Sequence, residues 1–289
     1  MLYALYQMGR WLAIALPLPI SYGIACLLAD GQYHVSRADR EAVSRNLSAI
    51  LGPTNPRLPW ATREVFRNFA KYLVDFFRLE RVDEAFIAAR VTVVGREHID
   101  EALRRGRGAI LLSAHLGNYE LGAAVAAALG YTVNIVVLHH QDPRVNAFFT
   151  TRRMNTGVQP IPVGMALRRG FACLKRNELL GMLADRDFFN NGLRMEFLGR
   201  QMSVPKGPAL FSVRTGALIV PTFVVREAGA RYRFIFERPI ELPSSGDEAR
   251  DVAQVTQAGL TVLERYIRQY PSQWYLFRDF DNPGPWVIL

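Results

Sequence analysis

The sequence predicts an α/β protein built on a single mixed, largely parallel sheet flanked by helices, with an apolar helical membrane anchor at its N-terminus. Three observations carry this reading. From residue 91 onward, short aliphatic runs such as VTVV and AILLSAH alternate with stretches of helical period, the pattern of a parallel sheet with crossover helices. No repeat, low-complexity tract or Ser/Gly linker divides the 289 residues, a length sufficient for one large core. Ahead of that core, residues 11–31 (WLAIALPLPISYGIACLLADG) are almost free of charge. Residues 1–35 are therefore assigned to a membrane-associating segment and residues 36–289 to an α/β domain.

The N-terminal run approaches the roughly 20 residues of a spanning helix, but Pro17 and Pro19 break its regularity. An interfacial or re-entrant anchor and a buried core helix are both open, and no small-x-small cleavage site supports a signal peptide. Tyr3, Tyr6, Trp11 and Tyr22 are aromatics of the kind that favour a headgroup region.

Helices are expected at 38–51 and 60–79, the second with Val65, Phe66, Phe69, Tyr72, Leu73, Phe76 and Phe77 forming one apolar stripe. Strands then follow at 91–95, 109–115, 132–138, 159–163, 179–185, 217–225 and 231–242. Helices alternate with them at 97–106, 118–129, 142–156, 164–177, 205–216 and 247–270. The last two strands are read as an antiparallel pair.

Thirty-five basic against 26 acidic residues give a formal charge of +9, which favours an acidic or anionic partner. No nucleic-acid module or basic–aromatic interleaving accompanies it, so no nucleic-acid partner is expected. Cys26 and Cys173 lack both disulfide-framework and zinc spacing. No metal-ligand cluster, GxGxxG or Walker sequence occurs, so neither a metal nor a nucleotide cofactor is expected.

The chemistry concentrates in SAHLGNYELG, residues 113–122. His115 falls at the carboxyl end of a buried strand, the edge where open α/β sheets bind ligands. Gly117 permits a tight turn, and Asn118, placed to cap the helix carrying Glu120, is also expected to meet the substrate. If the turn folds back, Glu120 orients the imidazole as the acid does in a Ser-His-Asp triad. No GxSxG is present, so a His/Glu dyad without a protein nucleophile suits general-base activation of a substrate hydroxyl. His139 and His140 end the next strand and are expected to line a substrate groove.

This block resembles the His-x4-Glu/Asp motif of the bacterial lysophospholipid acyltransferase superfamily. It is most similar to the branch of lipid A late acyltransferases (lauroyl and myristoyl transferases) and phosphatidylinositol mannoside acyltransferases. Residues 179–226 resemble that branch's second block: an acidic-x-acidic turn after a strand, an aromatic-Gly motif, a Pro-opened helix and a strand with Pro. PSQWYLFRDF (271–280) is similar to its C-terminal segment, but Arg278-Asp279 stands where many relatives carry His-Arg-Arg, which weakens an anion-binding role for that tail.

The resemblance implies a glycerolipid acyltransferase-like fold. It also implies transfer of a fatty acyl chain from an acyl carrier protein or coenzyme A thioester to a hydroxyl of a membrane glycolipid or phospholipid. The cytoplasmic face of the inner membrane is the implied location, with no cofactor beyond the donor. His115 takes the hydroxyl proton, Glu120 supports it, and the oxyanion is met by backbone N–H groups at 116–118 or by a nearby cation. Arg152, Arg153 and Arg186 are candidates for an anionic headgroup or phosphopantetheine. Asp185 and Asp187 shape the site through Arg186, Glu196 lies near the acceptor, and Lys206 sits at a helix N-terminus that welcomes an anion. A non-catalytic lipid-binding protein on the same fold and an acyl-thioester hydrolase are the alternatives.

Overall fold

The chain opens with four long helices in the computed structural model, which describes residues 2–280; Met1 and the last nine residues of the expected α/β domain lie outside the described residues. These helices are α1 (Leu2–Ala15), α2 (Leu18–Val35), α3 (Arg37–Leu51) and α4 (Leu58–Phe77). The chain continues through α5 (Glu84–Arg90), β1 (Val91–Val94), α6 (Arg96–Arg104), β2 (Ala109–Ser113), α7 (Tyr119–Ala128) and β3 (Val133–Val137). It then forms α8 (Pro143–Met154), β4 (Gln159–Pro162), α9 (Ala166–Lys175), β5 (Leu179–Leu183), β6 (Leu193–Phe197) and β7 (Arg200–Val204). Last come α10 (Gly207–Thr215), β8 (Leu218–Arg226), β9 (Tyr232–Phe236) and α11 (Glu248–Gln269).

Seven strands form one sheet in the order β1-β9-β8-β2-β5-β3-β4. Every neighbouring pair is parallel except β8 with β9. The mixed, largely parallel sheet is thus as expected, and the antiparallel pair falls where the sequence places it. Strand β2 is buried along its whole length because both its edges are paired and both its faces are covered. Ile110 and Leu112 belong to the core under α10 and α11, while Ala109 and Leu111 face the core under α7. A separate antiparallel hairpin, β6–β7, is absent from the expected strands. Its turn residues Leu198 (φ 53°) and Gly199 (φ 77°) both take positive φ, as a two-residue type I′ turn requires. Leucine rarely adopts that conformation, so the sequence carries no turn signal; here the Leu198 amide is held by the Glu264 carboxylate.

The apolar N-terminal segment is two helices rather than one. Pro17 is the N-cap of α2 and has no amide hydrogen to continue α1. Among the described residues no helix is long and apolar enough to cross a membrane, so the expectation of a membrane anchor has no spanning helix behind it. Both helices instead pack on the α/β unit. Tyr6 stacks on Phe148 and meets Phe77 and Phe149 edge-on. Asp30 receives paired hydrogen bonds from Arg63 and Arg67 of α4.

The strongest tie is a buried network around Asp75 of α4. Its carboxylate accepts hydrogen bonds from the Tyr22 hydroxyl, from Arg226, from Tyr232 at 2.6 Å and from Asn118 Nδ2 at 2.9 Å. Arg226 also donates to the Tyr22 and Tyr232 hydroxyls at 2.8 and 3.0 Å. A buried charge persists only when it is paired and its remaining lone pairs are bonded, and every neighbour of Asp75 serves that end. Burial and the adjacent Asp75 push the Tyr22 hydroxyl up to about 12, which keeps it a donor at neutral pH.

Candidate active site

The site forms where β2 and β5 end side by side. Their register pairs Ala109 with Leu179 through to Ser113 with Leu183, a constant offset of 70 residues. His115 and Asp185 lie two residues past the last pair on each strand, so parallel pairing alone brings them together. His115 Nδ1 is 2.8 Å from Asp185 Oδ1, which also accepts the His115 amide at 3.2 Å. The other carboxylate oxygen accepts Trp274 Nε1 at 3.0 Å. Asp185 has no exposed side-chain surface, whereas His115 keeps 18 % of its own. With Nδ1 donating to Asp185, Nε2 is the ring nitrogen left for a ligand.

Electrostatics follow from this packing. Burial, with Arg186 nearby, holds the His115 pKa below the ordinary 6.5 although Asp185 pulls it upward. Burial alone would raise the Asp185 carboxyl, but His115, Arg186 and the Trp274 bond hold it well below the usual carboxylate range. The imidazole is thus neutral at neutral pH and faces a carboxylate that stays ionised. That is the arrangement of a general base with a fixed tautomer.

Glu120 is placed differently from the expected dyad. It sits in the first turn of α7, which Asn118 caps by accepting the Leu121 amide at 3.1 Å. Its carboxylate receives Arg153 in a fork, Nη2 at 2.6 Å and Nε at 3.0 Å. Arg153 belongs to the last turn of α8, so an acid at one helix start meets a cation at another helix end, each favoured by its own dipole. The partner that orients His115 in this structure is Asp185, and Glu120 contributes to the imidazole only through its charge. The physical reason is direction: parallel register aims residue 185 at residue 115, while the α7 turn aims residue 120 at α8.

The turn between them is fully committed to the fold. The Gly117 amide donates to the Gln273 carbonyl at 2.8 Å, the Asn118 amide to the Val224 carbonyl at 2.7 Å, and the Leu116 amide to Ala114 at 2.7 Å. The amides at 116–118 are therefore not available to an oxyanion, leaving the cation alternative. Gly117 (φ 65°) is required here, because a Cβ would lie 2.0 Å from the Val224 carbonyl oxygen.

His115 opens onto a cavity of about 490 Å³ that runs between α7 and the sheet. Arg186, Asp187, Phe189 and Lys206, beyond the carboxyl ends of the strands, line it together with Val224 and Phe234 at the level of the His115 turn and with Leu111, Val133, Ile135 and Gly181 further along the strands. A polar rim over an apolar slot is the form of a site that holds a long hydrocarbon with a reactive polar end. His140 lines the cavity, stacked on Phe149 at 4.5 Å.

The other expected residues divide. Arg153, Arg186, Asp187 and Lys206 line the cavity with His115 and Glu120. Asp187 shapes the rim loop, its Oδ2 accepting Ser203 Oγ at 2.5 Å and the Gly192 amide at 2.8 Å. Arg186 donates to the Tyr275 carbonyl. Three residues stand elsewhere. Asn118 is buried under the turn between its cap and Asp75. Arg152 pairs with Glu80 at 3.2 Å and lies over the Phe148 ring. Glu196 is on the exposed face of β6, since the hairpin turns Phe197 inward. Trp274, which fixes Asp185, is a site residue that the sequence reading misses; its place in PSQWYLFRDF is the signal that could have found it. Among the described residues, no three His, Cys, Asp or Glu side chains gather to hold a metal ion.

Comparison with known proteins identifies the family. A family model described as bacterial lipid A biosynthesis acyltransferase matches residues 1–279. The phosphatidylinositol mannoside acyltransferase of Mycolicibacterium smegmatis is 25% identical over 279 residues, covering 94% of this chain and 89% of its own. The protein of the same name from Mycobacterium tuberculosis is 25% identical, covering 86% and 78%. The lipid A biosynthesis lauroyltransferase of Escherichia coli K12 is also 25% identical, covering 93% and 88%.

Proposed function

Because the chain belongs to the bacterial lipid A biosynthesis acyltransferase family and is an O-acyltransferase, we propose that it moves a fatty acyl group from a thioester donor to a hydroxyl of a membrane glycolipid or phospholipid. The observation that carries this reading is the His115–Asp185 pair at the mouth of an apolar slot. His115 Nε2 accepts the proton of the acceptor hydroxyl as its oxygen attacks the thioester carbonyl. The tetrahedral intermediate then collapses, the C–S bond breaks, and the same proton passes to the departing sulfur. Asp185 keeps Nδ1 protonated and stabilises the transient imidazolium. Arg186 and Lys206, both on the cavity wall, supply positive potential for the oxyanion and for donor phosphates. Arg153 clamps Glu120 and steadies the cavity wall rather than meeting a headgroup.

The slot accommodates the acyl chain, and the charge of +9 suits an acidic carrier protein or a coenzyme A thioester. Membrane-surface contact is supported by apolar side chains that α1 and α2 leave exposed, and the cytoplasmic face of the inner membrane is the side we propose for it. They include Leu5, Met8, Trp11, Ile20, Leu27 and Leu28.

The test is direct. Purified wild type and His115→Ala are incubated with radiolabelled acyl carrier protein and acyl-coenzyme A donors and a total lipid extract. Label in a lipid with wild type alone supports the reading and identifies the acceptor. Equal release of free fatty acid by both proteins, or inactivity of both, overturns the role given to His115.

A further inference from the structure

One position in the cavity wall departs from what its secondary structure favours. Gly181 is the third residue of β5, the strand held between β2 and β3 near the centre of the sheet. Glycine weakens a strand interior and marks close approach of another group. Its backbone is not among those at positive φ, so no turn or strain requires glycine there. The register places Leu111, Gly181 and Ile135 in one row across three parallel strands, and parallel neighbours present their side chains to the same face. All three line the cavity. The row is therefore two bulky side chains with a gap between them, beneath α7.

The gap is at depth. His115 lies two residues past the end of β2 and Leu111 two residues inside it, which at about 3.3 Å per residue sets the row at most about 13 Å below the imidazole. One row further in, Leu179 is fully buried and does not reach the cavity, and of the residues paired there only Val133 still lines it, so the slot narrows below Gly181. Space for a side chain at residue 181 is bounded by Ile135: a Cβ there would lie 3.0 Å from Ile135 Cγ2. Ile135 is only half-buried, so it yields toward the cavity rather than into the core.

We propose that Gly181 is a specificity-determining residue, which sets the length of acyl chain accepted by leaving a notch between Leu111 and Ile135 for the chain's far end. This rests on the reading that the slot holds the acyl chain. A longer side chain at residue 181 fills the notch, pushes Ile135 into the slot, and shortens the chain that fits. Removing bulk at Ile135 does the reverse.

The experiment measures kcat/KM for a saturated donor series, octanoyl to stearoyl, with a total lipid extract as acceptor. Wild type, Gly181→Ala, Gly181→Val and Ile135→Ala are compared, and thermal melting is followed in parallel. Expected is a stepwise shift of the optimum to shorter donors for Gly181→Ala and then Gly181→Val. Short donors are retained, and long donors fall about fourfold for each methylene displaced from the slot. Ile135→Ala is expected to move the optimum to longer donors, which keeps the test open if Gly181→Val folds poorly. An unmoved profile, or an equal loss at every chain length, overturns the role of Gly181 while leaving the transferase reading standing. Wild type that transfers no acyl group from any donor overturns both.

Discussion

Asp185 and Glu120 are both buried carboxylates of the candidate site, yet they are held in opposite ways. Asp185 ends a strand, has no exposed surface, and divides its oxygens between His115 and Trp274. Glu120 opens a helix and is gripped by the two-pronged fork of Arg153. One carboxylate faces an imidazole, which can take up or release a proton near neutral pH, the other a guanidinium that stays a cation. The first is built to respond to a proton and the second to hold two helices together. Spacing along the chain does not distinguish these uses; the partner does.

Four substitutions put this contrast at risk. Largest is His115→Ala, expected to lower kcat/KM by about 10²–10⁴ with the melting temperature near that of wild type. Asp185→Asn comes next, costing about 10²-fold or more in kcat while the protein stays folded. For Glu120→Gln the weight falls on stability: leaving Arg153 buried without its counter-charge costs about 3–5 kcal/mol in urea denaturation. Its activity per folded molecule should fall less than that of Asp185→Asn. Were Glu120→Gln to keep full stability and lose as much kcat as His115→Ala, the two carboxylates would have to exchange roles. Trp274→Phe is the smallest, removing one hydrogen bond to a charged acceptor, about 1.5–3 kcal/mol, read as a modest loss in kcat.

The pH profile gives a further test with a definite sign. A base must be unprotonated, and the His115 pKa is held below 6.5 by burial. Log kcat/KM should therefore be flat through neutral pH and fall only on the acid side of 6.5. Asp185→Asn removes the negative charge that raises this pKa, so its acid limb should move to still lower pH. A limb above 6.5 in wild type would contradict a buried imidazole flanked by a cation.

Much of the fold is legible in the sequence, and the failures have a common cause. AILLSAH marks a buried strand ending at His115 because both faces of β2 are covered, which leaves a continuous apolar run. Residues 118–129 show their helix through Asn118, and the cap is made as expected. What escapes is every relation between distant segments. That β5 rather than β3 lies beside β2 is a matter of sheet order, and only that order sets Asp185 opposite His115. The pairing of Glu120 with Arg153 depends likewise on where α8 ends. The amides at 116–118 look available because a local reading cannot see the carbonyls of Val224 and Gln273 arriving from elsewhere.

The Asp75 network has a consequence for how this chain can be altered. Tyr22, in the second helix, shares one carboxylate with Asn118, whose own amide anchors the turn behind His115. Cutting the chain after residue 35 deletes a donor from a buried acid and loosens the residue beneath His115. The front helices are thus no interchangeable handle. A chimera that borrows them from a relative will keep the turn behind His115 in place only if the borrowed segment brings a hydroxyl to Asp75.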